Sequence, residues 1–235
     1  MIIGNKIFNE TIRGYNPMVL RQFESIIESR CDSIGSYAFI DFNTLRNVQF
    51  QNCSVIGSYA FSNCTYISTI SFPDCVTIYK GAFYQNINLS YADFPKCTTI
   101  QENAFYRCTL LNRISASFCM SIGSSAFYEC SVLSNVDIEA CKSVGNQAFY
   151  GCNILSNISL PFCEYIGLSA FKAQTNQSAI SIDINLLGSS LCRIGFAASY
   201  IFDLSRTTIH IPSSLYEAYI TNSYWSVASS RIVSV

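Results

Sequence analysis

Apolar residues return along this chain with one fixed period. The Ala-Phe pair at 38–39 recurs at 60–61, 82–83, 104–105, 126–127, 148–149 and 170–171, always at the same interval. A second apolar column reads Ile34, Ile56, Ile78, Ile100, Ile122, Val144, Ile166, and a third reads Leu45, Ile67, Leu89, Leu111, Leu133, Leu155 until Gln177 breaks it. A fourth reads Val48, Ile70, Ala92, Ile114, Val136, Ile158, Ile180, and a fifth Phe50, Phe72, Phe94, Ala116, Ile138, Leu160, Ile182. One 22-residue unit is too short to bury so many apolar groups by itself. Stacked units bury them jointly, because each column becomes a continuous ladder in a shared core. The pattern therefore predicts an elongated solenoid of seven coils and a decayed eighth, Arg193-Ile-Gly-Phe-Ala-Ala198.

The fourth and fifth columns are two residues apart with a polar residue between them, the alternation of a half-buried strand. It predicts short parallel strands at Asn47–Phe50, Thr69–Phe72, Tyr91–Phe94, Arg113–Ala116, Asn135–Ile138, Asn157–Leu160 and Ala179–Ile182. Pro73, Pro95 and Pro161 follow three of them, where a missing N–H ends a strand at little cost. A glycine column (Gly35, Gly57, Gly123, Gly145, Gly167) suggests a turn with special backbone angles, although Tyr79 and Gln101 stand in the same column. Counted from Ala170, the period brings the next Ala to position 192, but it stands at Ala198. Six extra residues therefore fall between Ala173 and Ser190, read as a surface loop.

The unit Ile-Gly-x-x-Ala-Phe-x-x-Cys-x-x-Leu-x-x-Ile-x-Phe-Pro resembles the bacterial surface-antigen type of leucine-rich repeat, the BspA-like or Treponema pallidum class, over about Cys31 to Phe202. That resemblance implies a leucine-rich repeat solenoid with a parallel β-sheet on its concave face. It also implies a binding or adhesion protein at a cell surface or secreted, without enzymatic activity. The Cys that opens each unit departs from the family, where Val or Leu is more usual.

At the start, Asn16-Pro17 looks like an N-cap followed by Pro at the first helical position, and Val19, Leu20, Phe23, Ile26 and Ile27 follow at helical spacing. An amphipathic helix over Pro17–Ser29 is expected to cover the first coil, within an N-terminal cap of residues 1–30. The repeats occupy 31–204 and a C-terminal cap 205–235, all in one structural domain. In that cap a strand is expected at Thr208–Ile211, and Ser214-Leu-Tyr-Glu217 has the pattern of a capping box opening a helix to about Thr221. Tyr216, Tyr219, Tyr224 and Trp225 crowd into ten residues; such a cluster can hold sugar rings, but sealing the last coil is the reading its position favours. The closing Ile-Pro-Ser-Ser-Leu-Tyr-Glu-Ala-Tyr segment resembles the end module of similar repeat proteins of gut bacteria and their prophages.

Net charge is −1, so there is no electrostatic footprint for nucleic acid or an anionic membrane. Half the residues are apolar and only 12% are charged, so Ser, Thr and Asn must supply much of the surface. No apolar run is long enough for a membrane span, and Met1–Tyr15 lacks the continuous apolar stretch of a secretory leader. Cys31, Cys53, Cys75, Cys97, Cys119, Cys141 and Cys163 form one column; Cys64, Cys108, Cys130 and Cys152 form another, interrupted by Asn86; Cys192 lies outside both. The spacings lack the paired ligands of a zinc site, so no metal and no cofactor is expected. Coils about 4.8 Å apart leave disulfides open, yet a seven-membered ladder cannot pair completely, and buried thiols are the plainer expectation.

No nucleophile–base pair or phosphate loop is apparent, and the single His210 sits beside Pro212. Asp93 and Asp137 share an outward column about 10 Å apart, near the spacing of inverting glycosidases, but a repetitive column produces such a pair by copying. No catalytic residue is assigned. The outward strand positions form two rows: Asn47, Thr69, Tyr91, Arg113, Asn135, Asn157 beside Gln49, Ser71, Asp93, Ser115, Asp137, Ser159. The candidate binding site is Asn47, Thr69, Tyr91, Asp93, Arg113, Asn135, Asp137 and Asn157, for a protein or glycan ligand taken by a monomer that inserts in no membrane. A solvated face without a ligand is the plain alternative, as is a structural spacer or assembly module of a surface or prophage-encoded appendage. The ladder Tyr84, Tyr106, Tyr128, Tyr150 reads as packing rather than a site.

Overall fold

The computed structural model describes residues 24–28, 31–173, 182–195 and 197–235. Each unit is one coil of a continuous stack, and six of the seven expected strands are present to within a residue of their expected ends. A six-stranded parallel sheet runs through Ser25–Glu28, Asn47–Phe50, Thr69–Ser71, Tyr91–Asp93, Arg113–Ser115 and Asn135–Asp137. A four-stranded parallel sheet continues along the same side with Asn157–Ser159, Ile182–Asn185, Thr207–Ile211 and Ile232–Ser234. Tyr91 lies opposite Thr69 and Arg113, and Asp93 opposite Ser71 and Ser115, so the repeat period becomes strand register directly. Alternation buries Val48, Ile70, Ala92, Ile114 and Ile158 and turns their neighbours outward.

Two further sides of the coil carry the Ile and Ala-Phe columns, but their backbone structure is not readable from the pattern. Residue pairs such as Val55–Ile56, Thr99–Ile100 and Tyr165–Ile166 build an eight-stranded parallel sheet of two-residue strands from Ser33–Ile34 to Arg193–Ile194. The third side carries Ala-Phe, where every second N–H reaches the next coil: Asn103 to Ser124 O at 3.0 Å, Phe105 to Ala126 O at 2.7 Å, Arg107 to Tyr128 O at 2.8 Å. Left-handed backbone flanks the pair in nearly every coil, as at Asn103 and Arg107 (φ 57 at both) or Tyr59 and Asn63. The special angles therefore lie two residues after the glycine column and again four residues on, where Gly81 (φ +62) and Gly151 (φ +75) happen to sit. The glycine column itself has a different cause. A Cβ on Gly145 would stand 2.5 Å from Ser124 N, and one on Gly123 2.4 Å from Glu102 N. Glycine is favoured at Gly57, Gly123, Gly145 and Gly167 because two coils' backbones touch there, while Tyr79 and Gln101 carry side chains in the same column.

The core is a set of columns seen end-on. Phe39, Phe61, Phe83, Phe105, Phe127, Phe149, Phe171 and Phe202 stack with ring centroids 5.0 to 5.9 Å apart. Phe50, Phe72 and Phe94 make a second stack at 5.8 Å, tilted into the first. Parallel offset rings at this spacing add about 0.5–1.5 kcal/mol per pair beyond their burial. All twelve cysteines are buried thiols. Cys64, Cys108, Cys130 and Cys152 each donate to the carbonyl of a phenylalanine 25 residues earlier, and Asn86 does the same through Nδ2 to Phe61 O at 2.8 Å. Tyr84, Tyr106, Tyr128 and Tyr150 stack at 4.9 Å as expected of packing.

The ends depart from expectation. Ser25–Glu28, the last part of the expected helix Pro17–Ser29, is a strand paired with Asn47–Phe50. Its backbone donors and acceptors find a ready sheet edge there, which overrides helical spacing. Residues 17–23 and 29 of that helix lie outside the described residues. The strand expected at Ala179–Ile182 is instead Ile182–Asn185, with Ile184 opposite Ile158. Ile184 and Leu186 take the core positions assigned above to Ile180 and Ile182. Four of the six extra residues therefore precede this strand and two follow it, since Arg193 pairs with Tyr165. At the C terminus the capping box does not form: a 3-10 turn at Ser213–Leu215 leads into a helix at Tyr216–Thr221, neither with a side-chain cap bond. Tyr219 and Trp225 are buried and close the phenylalanine stack, Trp225 lying 5.7 Å from Phe202. The chain then returns to add Ile232–Ser234 beside Thr207–Ile211, so the cap is itself one more coil.

Candidate functional site

The outward rows of the long-strand side are where the sequence places them. Asn47, Thr69, Arg113, Asn135 and Asn157 are exposed, and Tyr91, Asp93 and Asp137 are half-buried. Tyr91 stays partly covered because the Arg113 guanidinium lies over its ring, 5.8 Å from the centroid. A cation held so against an aromatic face is worth about 0.5–1 kcal/mol at an exposed site and presents a flat, rigid, amphipathic platform. Beside it a shallow depression of about 400 Å³ is lined by Asn47, Gln49, Thr69, Ser71 and Tyr91. Ser71 Oγ donates to Asp93 Oδ2 at 3.0 Å and orients that carboxylate at the rim.

The structure thus gathers Asn47, Thr69, Tyr91, Asp93 and Arg113 into one patch. Asn135 and Asp137 continue the rows at the end of the first sheet, and Asn157 opens the second sheet, so these three lie along the face without lining the depression. Three additions come from the corrected register. Asp183 follows Asn157 in one row, and Asn185 and His210 follow Ser159 in the other. Asn185 Nδ2 lies 3.4 Å from Asn157 Oδ1, and His210 Nε2 lies 3.7 Å from Asp183 Oδ1. The six-residue insertion hid them, because the strict period points to Ala179–Ile182.

A second concavity was not anticipated. About 560 Å³ opens beside the left-handed turns, lined by Asp41, Asn43, Asn63, Thr65, Gln85 and Arg107 among others. These polar groups satisfy one another along the stack: Asn63 Nδ2 to Asp41 Oδ1 at 2.9 Å, Thr65 Oγ1 to Asn43 Oδ1 at 3.2 Å, and Arg107 to Glu129 at 2.7 Å. The signal in the sequence is the polar column Asp41, Asn63, Gln85, Arg107 and Glu129, three residues after Ala in five of the seven coils.

For acid–base chemistry the long-strand face offers little. Asp93 and Asp137 are separated in their row by Ser115, and each faces solvent rather than a shared cleft. Among the described residues no group of three or more His, Cys, Asp or Glu side chains is placed to hold a metal ion. Burial pushes the Cys64 and Cys141 thiols up to about 12, which keeps them neutral and poor as nucleophiles or ligands. No described helix is long and apolar enough to cross a membrane.

Comparison with known proteins agrees with the repeat. The BspA type leucine-rich repeat region family matches residues 19–120 and 98–219, with 6 copies. A leucine-rich repeat protein from Bacteroides ovatus superposes with a TM-score of 0.70 at 26% identity, over 91% of this chain and 54% of that one. The chain therefore spans about half the length of that relative. The pneumococcal vaccine antigen PcpA gives a TM-score of 0.41 at 11% identity over 91% of this chain and 66% of its own. A leucine-rich cell surface protein from Faecalibacterium prausnitzii gives 0.36 at 15% identity, over 86% of this chain and 83% of its own. No curated protein matches at a significant level.

Proposed function

Since the chain belongs to the BspA-type leucine-rich repeat family, we propose that it is a non-enzymatic binding module that takes a protein or glycan on the outward face of its long-strand sheets. The observation that carries this reading is the patch centred on Tyr91 and Arg113, where a stacked aromatic–guanidinium pair borders a depression lined by Asn47, Gln49, Thr69 and Ser71. Tyr and Arg at the centre of a patch are the residues that carry binding energy when a partner excludes water from them. The surrounding amides and hydroxyls offer donors and acceptors in two rows, suited to the repeated hydroxyls of a glycan or to an extended polypeptide. The resemblance to bacterial surface antigens supports a cell-surface location, and that location is part of the proposal.

The test is a screen of the purified chain on glycan and extracellular-protein arrays, with a Tyr91→Ala/Arg113→Ala double variant in parallel. A saturable ligand should be weakened by at least roughly tenfold in the variant, the scale of losing a central aromatic or arginine contact, with thermal stability nearly unchanged. Ligands bound equally well by both proteins would remove the long-strand face from consideration. An array without ligands would turn attention to a spacer role.

A further inference from the structure

Cys192 is the one cysteine that copying of the repeat does not explain: the step to it from Cys163 is longer than one period and shorter than two. Its placement in the fold is also unusual. Arg193 pairs with Tyr165, so Cys192 precedes the pairing point by one residue and Cys163 by two. Within the main column, neighbouring cysteines are related by a plain translation of one coil. Their Cβ atoms are then separated by the coil spacing of about 4.8 Å, wider than the ~3.5–4.5 Å a disulfide accepts. Thiols of the column, Cys163 included, donate to the carbonyl two residues on in their own coil, as Cys141 does to Ser143 O at 3.4 Å and Cys163 to Tyr165 O at 3.3 Å, and the Cys31–Cys53 and Cys97–Cys119 pairs also interact through their side chains. The offset at Cys192 breaks that translation and turns its Sγ to Cys163 Sγ, 3.8 Å away.

The cap fixes this sulfur in place. The Cys192 N–H donates to Tyr219 Oη at 3.0 Å, and Trp225 Nε1–H donates to the Cys192 carbonyl at 2.8 Å. Cys163 also has a route to solvent. It is 6% exposed, at the floor of a cavity of about 460 Å³ walled by Lys142, Pro161, Phe162, Glu164, Leu187 and Ser190. Cys192 lies behind it, 1% exposed. This arrangement puts one reachable thiol in contact with a resolving thiol held by the cap.

We propose that Cys163 and Cys192 form a site of oxidative modification, closing a disulfide that ties the decayed last coil, on which the cap rests, to the coil before it when a small disulfide enters the cavity. In the first step Cys163 gives up its proton to solvent and attacks one sulfur of the reagent R–S–S–R. A mixed disulfide forms and RS⁻ leaves. Cys192 gives up its proton in turn and attacks Cys163 Sγ, the mixed disulfide breaks, and a second RS⁻ leaves; both thiolates take up the protons released. Two protein thiols are oxidised and one reagent disulfide is reduced to two thiols. The hydrogen bond with Cys192 and burial hold the Cys163 thiol above its ordinary range, so the first step is slow at neutral pH and faster in mild alkali.

The experiment treats the reduced, folded protein with oxidised glutathione at pH 8, quenches free thiols with an alkylating reagent after denaturation, and maps peptides without reduction. The expected product is a cross-link between the peptides of Cys163 and Cys192, the other ten cysteines being alkylated. The cross-linked protein should melt roughly 10 °C higher than the reduced form, as a bridge across a loop of this length implies, and dithiothreitol should reverse the shift. In a Cys192→Ser variant that keeps the native melting profile, Cys163 should stop at the glutathione adduct. Full alkylation of Cys163 after prolonged treatment overturns the proposal. So does a stable Cys163–glutathione adduct in the unaltered protein, or bridging spread evenly over the column.

Discussion

Asn86 gives the sharpest test of how the core is held. It stands where Cys64, Cys108 and Cys130 stand in other coils, and it is fully buried. Its Nδ2 reproduces the thiol's bond, donating to Phe61 O, but its Oδ1 is enclosed with no partner. A buried acceptor left unsatisfied costs about 1–3 kcal/mol. The amide-to-carbonyl bond returns about 1 kcal/mol net, part of which a weaker S–H donor would recover. Asn and Cys have similar volumes, so Asn86→Cys opens no cavity and removes the orphan oxygen. The expected result is a gain of about 1 kcal/mol, which for a chain of this size raises the melting temperature by about 2–4 °C. The reciprocal change Cys108→Asn installs the orphan oxygen one coil on and should lose a similar amount. Both are read by calorimetry and urea titration in reductant, with m compared to the unaltered protein because repeat arrays can lose cooperativity. A neutral or destabilising Asn86→Cys together with a harmless Cys108→Asn would refute the reasoning and show that solvent reaches that oxygen.

Two other expectations follow from the same core. Phe105→Ala removes a ring stacked on both Phe83 and Phe127 and should cost about 3–5 kcal/mol, while Phe118→Ala, at a ring 62% exposed, should stay within about 0.5 kcal/mol; equal urea midpoints for the two variants would contradict the stacking argument. Alkali should destabilise the fold: Cys64 and Cys141 are pushed up to about 12 from the usual 9.0, so their contribution is intact below pH 9 and is lost as pH rises from 9 towards 12. Above the unfolded thiol's titration point each such thiol removes about 1.4 kcal/mol per pH unit. Urea midpoints at pH 7.5, 9 and 10.5 should fall along that course, with a shallower decline in a Cys64→Ala/Cys141→Ala variant; a flat profile would mean that these thiols ionise in place.

The sequence by itself determined the repeat, its regular coils and most of the parallel strands on one side. A strict period leaves each apolar column only one way to be buried, against its own copies. The candidate patch was readable for the same reason, because period-2 alternation sets Tyr91, Asp93 and Arg113 outward once Ala92 and Ile114 face in. What the tertiary structure decided lies where that logic has no purchase. Two-residue strands are too short to show alternation, so the eight-stranded sheet has no signature of its own. The glycine column looked conformational but answers to the backbone of the adjacent coil, a contact one full period away in the chain. Ser25–Glu28 carries a helical pattern and still becomes a strand, because an open sheet edge offers its backbone more than a lone helix does. The six-residue insertion moved the next strand four residues on, placing Asp183 and His210 on the candidate face and Cys192 against Cys163, and only pairing between coils could settle that register.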